Sequence, residues 1–192
     1  IAADEAAHQI AAVRETLEKT GLALGLAGDI DAVRAAAARN MLAEVGALAP
    51  VLDAFDWQLD LAQITPFARW FPKNENIVRV YDTRFYLANL GTGAVEVSID
   101  HAENTQLFWT SAQGALDAAE RGEIKLIFPT RRNLERLALF ASFEEARAQA
   151  EAIPVRTIVP QIDTSGDRPM LRIMADAGYP ITAELLETVA RG

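Results

Sequence analysis

Arg14-Glu15-Thr16-Leu17-Glu18-Lys19-Thr20-Gly21-Leu22 is the stretch on which the reading of this 192-residue chain turns. A helix through it points Glu15 and Glu18, three residues apart, along one flank. Two hard anionic groups held that way suit a shared Mg²⁺, which takes carboxylates together with substrate phosphates. Gly21 stands where such a helix stops, as a C′ residue free to adopt positive φ. The plainer reading is a solvated helix on which Lys19 sits one turn beyond Glu15, an i,i+4 ion pair contributing about 0.3–0.5 kcal/mol. Nine residues by themselves leave both readings open.

Working outward, Ala6, Ile10, Val13 and Leu17 fall on one helical face, and Asp4, His8, Glu15 and Glu18 on another stripe. A helix is therefore expected over Ile1 to Thr20. The chain begins at Ile1 rather than Met and already within this pattern, so further sequence upstream is expected. Asp29 is the expected cap of a second helix over Asp31 to Leu52, broken by Pro50. A β-rich region follows. A short strand in Leu61 to Phe71 leads to a Pro-bounded turn, Val78 to Leu90 is the clearest strand, and Val95 to Ile99 and Thr105 to Trp109 read as two more.

Helices return with Thr110 as cap and Gln113 as its reciprocal partner. Pro129-Thr130 opens another helix, with Leu134, Leu137 and Leu139 to bury. Ser142 with Glu145 forms a capping box for a helix to Ala152. Ser165-Gly166-Asp167 reads as the turn of a hairpin between Thr157–Ile162 and Met170–Met174, and Thr182 to Ala190 as a final short helix. Irregular alternation of helices and strands predicts an α/β or α+β class with a mixed sheet. The expected division is a main domain over 1–152, with 153–192 a hairpin and helix appended to it.

Composition narrows the function classes. Apolar residues make up 51% of the chain, enough for a sizeable core. A net charge of −9 argues against a nucleic-acid backbone as partner, which demands a basic face. The absence of cysteine excludes disulfides and thiolate metal sites. There is neither an apolar run of membrane-spanning length nor a basic-then-apolar leader, so a cytoplasmic setting without membrane attachment is expected.

Further pieces join the helix motif. They are Ala12-Val13 leading into Arg14-Glu15-Thr16-Leu17-Glu18-Lys19-Thr20-Gly21, then Pro66-Phe67-Ala68-Arg69-Trp70, then Arg79-Val80-Tyr81-Asp82-Thr83-Arg84-Phe85-Tyr86-Leu87-Ala88. Glu103 with Trp109 six residues on, and Pro129-Thr130 followed by Leu134 and Leu137, complete the series. In order and approximate spacing, from Ile10 to Leu139, the chain resembles the Nudix hydrolases, and among them the branch of coenzyme A and acyl-CoA diphosphatases and their bacterial relatives. The resemblance implies an α/β/α sandwich with a mixed sheet whose N-terminal strands would lie upstream of Ile1. It implies hydrolysis of a diphosphate linkage in a nucleoside diphosphate derivative, coenzyme A or acyl-CoA being the favoured class, with Mg²⁺ or Mn²⁺ as cofactor. The partner is then a small-molecule diphosphate substrate, with a homodimer an admissible assembly.

The same resemblance assigns the site residues. Glu15 and Glu18 would hold the metal, Glu15 doubling as a candidate base. Glu103 would be a further ligand or general base, with Asp100 competing for that role. Arg14 would orient the glutamates by charge-assisted hydrogen bonds. Lys19 departs from the family pattern, which has a metal-ligand Glu there. An ammonium at that position repels a dication, and this raises the alternative of a Nudix-fold binding or scaffold domain with weakened catalysis. Position 6, where the spacing puts the motif's upstream Glu, is alanine. Arg79 and Arg84 flank Asp82 and suggest a structural Asp–Arg pair. His8 and His101 are solitary and receive no role, and Trp57, Trp70 and Trp109 read as core or interface residues.

Overall fold

The structure, a computed structural model, describes residues 3–72, 80–91 and 108–189. In chain order they form α1 (Ala3–Thr20), β1 (Leu26–Ala27), α2 (Ala32–Val45), α3 (Leu48–Phe55), β2 (Gln58–Leu59), β3 (Ile64–Trp70), β4 (Thr83–Ala88), α4 (Ala112–Glu120), α5 (Phe128–Leu137), α6 (Phe143–Ala152), β5 (Thr157–Ile158), β6 (Gln161–Asp163), β7 (Met170–Arg172), β8 (Ala183–Leu185) and α7 (Leu186–Val189). A single 3₁₀ turn, Leu61–Gln63, precedes β3. The class is mixed α/β with three small sheets, ordered β1-β2, β4-β3-β5 and β6-β7-β8, the second of them mixed. The chain divides into two compact units, one of residues 1–65 with 86–108 and the other of 66–85 with 109–192.

In the first unit, α1 forms as its pattern predicts and buries Gln9, Val13 and Leu17. Val13 and Leu17 pack with Ala38 and Leu42 of α2, Val51 of α3, and Trp57. Gln9 is a polar member of the buried stripe. Its Nε2 donates to the Ile64 carbonyl at 2.8 Å, which ties the helix to the start of β3. The cap of α2 is Asp31, not Asp29: its carboxylate accepts from the Arg34 N–H at 2.7 Å. Asp29 instead offers its carbonyl to Trp57 Nε1 at 3.0 Å. The expected helix over Asp31 to Leu52 is two helices, because the chain turns at Gly46 (φ 68°). Pro50 lies in the first turn of α3, where a missing N–H leaves no helical bond unmade, so it does not break the chain's course.

In the second unit, β3 is longer than the short strand expected and contains Pro66. Its parallel register to β5 is Arg69↔Thr157 and Trp70↔Ile158, so the proline precedes the paired stretch and removes no donor from it. The cap of α4 is Ser111, one residue beyond Thr110, with Oγ accepting from the Gly114 N–H at 2.9 Å. Ser142 and Glu145 do form a capping box for α6. Ser142 Oγ accepts from the Glu145 N–H at 3.2 Å, while Glu145 reaches back to the Ala141 N–H at 2.9 Å. The hairpin around Ser165-Gly166 joins β6 and β7 in the register Ile162↔Leu171.

Other expectations fail in this part of the chain. Residues 183–185 extend as β8 beside β7, leaving only Leu186–Val189 helical, because the edge of β7 offers them a ladder that local propensity does not anticipate. Helix α5 buries Phe128, Arg132, Asn133 and Arg136, whereas Leu139 is 57% exposed. Of the core and interface readings of Trp109 the core one fails, since it is 61% exposed; Phe108 and Trp109 are not strand, and 105–107 lie outside the described residues. The strand expected over Val78 to Leu90 is confined to Thr83–Ala88 among the described residues, and that over Val95 to Ile99 lies outside them.

Gly178 is a crowded backbone position of the second unit. It holds φ at 81°, and a Cβ there would meet Ile153 Cδ1 at 2.6 Å and Gln149 Nε2 at 2.8 Å. Gln149 is itself the acceptor for Arg136. Gly178→Ala is expected to destabilise by about 2 kcal/mol, combining left-handed strain with the displacement of Gln149. Urea denaturation checks this; an unchanged midpoint would refute the crowding argument.

Candidate functional site

The motif lies on the second half of α1. Burial of Gln9, Val13 and Leu17 turns Arg14, Glu15 and Glu18 to the outer flank. One guanidinium spans both carboxylates: Arg14 Nη1 donates to Glu18 Oε2 at 2.6 Å, and Nη2 donates to Glu15 Oε1. Lys19 Nζ lies 3.1 Å from Glu18 Oε1, so this ammonium approaches the adjacent glutamate as well as standing one turn beyond Glu15. Glu15 has 51% of its side chain exposed and Glu18 28%.

The helix ends where the motif requires. Gly21 takes φ 75° and donates its N–H to the Leu17 carbonyl at 3.0 Å. Arg39 of α2 closes the end, with Nε donating to the Glu18 carbonyl at 2.8 Å and Nη2 to the Lys19 carbonyl at 3.3 Å. A cation there satisfies carbonyls that have no helical partner and complements the negative end of the helix dipole. Arg39 thus pins the backbone of the two residues whose side chains pair. Sequence reading did not single it out, since an arginine inside an alanine-rich helix carries no local sign of what it will reach.

Donor type and placement fit a hard divalent cation in part. Glu15 and Glu18 supply carboxylates on one flank, but three of their oxygens already face Arg14 or Lys19. Two carboxylates against a guanidinium and an ammonium leave no net negative charge to draw a dication. Among the described residues no three His, Asp or Glu side chains are grouped to hold a metal. Glu103, Asp100, His101 and Arg79 lie outside the described residues. Tyr86 of β4 reaches α1 at its opposite end, donating to Glu5 Oε1 at 2.9 Å. His8 pairs with Asp4 at 3.5 Å.

Asp82 pairs with Arg69, which the sequence did not single out, while Arg79 lies outside the described residues. Asp82 accepts from Arg69 Nε at 2.8 Å and from Arg69 Nη2 at 2.5 Å, across the antiparallel side of β3.

A polar cluster that the sequence did not announce occupies the interior of the second unit. Arg136 lies between the rings of Phe67 and Tyr179, its Cζ 4.1 Å and 5.4 Å from their centroids. It donates to the Phe67 carbonyl at 2.9 Å and to Gln149 Oε1. Burial pulls this guanidinium below its ordinary pKa and pushes the Tyr179 hydroxyl above its own. No signal in the sequence marks the burial of Arg132 and Arg136, because polar residues at helical spacing normally mark a solvated face.

In comparison with protein families, curated proteins and solved structures, no match to this chain is found. Among the described residues no helix is long and apolar enough to cross a membrane.

Proposed function

We propose that α1 is a Nudix-type helix and that the chain's reaction class is metal-dependent hydrolysis of a diphosphate linkage in a nucleoside diphosphate derivative, with coenzyme A or acyl-CoA as the favoured substrate class. The wider fold that goes with this reading is an α/β/α sandwich. The observation that carries it is the single Arg14 guanidinium holding Glu15 and Glu18 together on one flank of a helix that ends at a left-handed glycine.

Glu15 and Glu18 would hold Mg²⁺ or Mn²⁺, which when bound neutralises phosphate charge and acidifies a water. Arg14 keeps the two carboxylates side by side, so less ordering is left for binding to complete. Water attacks phosphorus, the bond to the leaving phosphomonoester breaks, and a carboxylate takes the water's proton; Glu103 is the residue proposed for that role.

A second reading has its own observation. Lys19 Nζ at 3.1 Å from Glu18 puts a positive charge beside a carboxylate that would hold the metal, which favours a Nudix-fold binding or scaffold domain that does not turn over substrate. Phosphate release from a panel of diphosphates, with Glu15→Gln assayed beside the wild type at millimolar Mg²⁺, separates the two. The enzyme reading expects weak release that falls to background in Glu15→Gln. Equal background in both proteins, with no rise in melting temperature on adding Mn²⁺, gives the answer to the binding domain, since a ligand of the native state must stabilise it.

A further inference from the structure

Glu135 of α5 and Glu184 of β8 use the same nitrogen. Arg132 Nη2 donates to Glu135 Oε1 at 2.9 Å and to Glu184 Oε2 at 2.8 Å. The two carboxylate oxygens therefore lie no farther apart than the sum of those distances. All three groups are withdrawn from water: the side chains of Arg132, Glu135 and Glu184 are 3%, 13% and 20% exposed. Two carboxylates and one guanidinium leave one uncompensated negative charge in that place.

The neighbouring charges do not remove it. Arg131 of α5 is engaged by Glu120 of α4, with Nη1 at 2.6 Å from Oε1, on the wetter side of the helix. The second oxygen of Glu135, Oε2, is buried and accepts no hydrogen bond among the described residues. A carboxylate is kept ionised by donors and by solvent, and this oxygen has neither. Burial pushes the Glu135 carboxyl above the usual range, with Glu184 and Glu120 acting in the same direction and Arg132 and Arg131 opposing.

We propose that Glu135, crowded against the Glu184 carboxylate on one guanidinium nitrogen, keeps its proton at pH values where ordinary glutamates are ionised, and that losing it loosens the sheet β6-β7-β8 from α5. A second negative charge on the nitrogen that Glu184 already uses is opposed by like-charge repulsion, and the proton on Glu135 removes it. The sign follows from linkage. The native state holds a proton that the unfolded chain releases near 4.5. Stability from Glu135 is therefore complete below that value and is lost as pH rises through the higher native value. This makes the C-terminal sheet a pH-sensitive element, independent of any chemistry at α1.

The test is chemical denaturation of the whole chain over a pH series, for wild type, Glu135→Gln and Glu184→Gln. Glutamine keeps the acceptor for Arg132 and removes the titration. The midpoint of wild type is expected to fall relative to Glu135→Gln as pH rises above 4.5, the two curves converging on the acid side. A difference between them that does not change with pH overturns the proposal. A carbon-detected titration of the carboxyl groups reads the proton directly and does not require Glu135→Gln to fold. One glutamate of the wild type should titrate above all others and be absent from the Glu184→Gln spectrum at that position. Glutamates that all titrate in the ordinary range overturn it as well. At the alkaline end, amides of Met170–Arg172 and Ala183–Leu185 should exchange faster in wild type than in Glu135→Gln; equal exchange refutes the loosening.

Discussion

Trp70→Ala is expected to cost about 3–5 kcal/mol. Trp70 is wholly buried at the end of β3, in register with Ile158 of β5. Its ring meets Phe128 at 5.9 Å and Tyr179 at 5.6 Å, both edge to face. Such pairs add about 0.5–1.5 kcal/mol beyond the area they bury. The indole N–H also donates to Tyr179 Oη at 3.1 Å and to Asn133 Oδ1 at 3.3 Å. Alanine leaves a cavity between β3 and α5 that close-packed neighbours refill only in part. Trp70→Phe separates the two contributions: it keeps a ring and loses the donor, while Tyr179 still donates to Asn133 at 2.7 Å. About 1 kcal/mol is expected for the donor alone. Urea midpoints at constant m-value measure both, and a loss for alanine no larger than for phenylalanine would show that the ring is not the centre of this unit's core.

Lys19→Glu is expected to raise Mn²⁺ affinity by about two decades, on the order of 3 kcal/mol. The exchange removes an ammonium 3.1 Å from Glu18 Oε1 and puts a third carboxylate beside Glu15 and Glu18. At a few ångströms near a protein surface one charge pair is worth about 4 kcal/mol, and the change is of two charges toward a dication. Desolvation and the retained Arg14 take back part of that gain. Without metal the variant should be slightly less stable than wild type, since like charges at i,i+4 cost about 0.2–0.5 kcal/mol. With metal it should be more stable, by mass action on the native state. Calorimetric titration with Mn²⁺ decides: affinity equal to that of wild type would mean that position 19 does not border a metal site, and the proposed reaction would lose its basis.

Much of α1 was determined by its own residues. Its apolar stripe, the facing of Glu15 and Glu18, their orientation by Arg14 and the stop at Gly21 all depend on neighbours within one or two turns. The capping box of Ser142 with Glu145 and the hairpin between β6 and β7 are local in the same sense, and they form where the sequence puts them. Caps misplaced by one or two residues, Asp31 for Asp29 and Ser111 for Thr110, show the limit of that reasoning. Several oxygens in a row can each accept the first free N–H, and the backbone entering the helix selects among them. What only the tertiary structure decided is which groups lose water. Nothing local marks Arg132 and Arg136, over which Phe67, Tyr179, Gln149 and Glu184 close, and residues 183–185 read as helix until β7 offers them a ladder. Hydrogen bonds within a few residues are written in the order of the chain, whereas the burial of a charge and the pairing of a strand depend on partners far along it, which folding alone brings near.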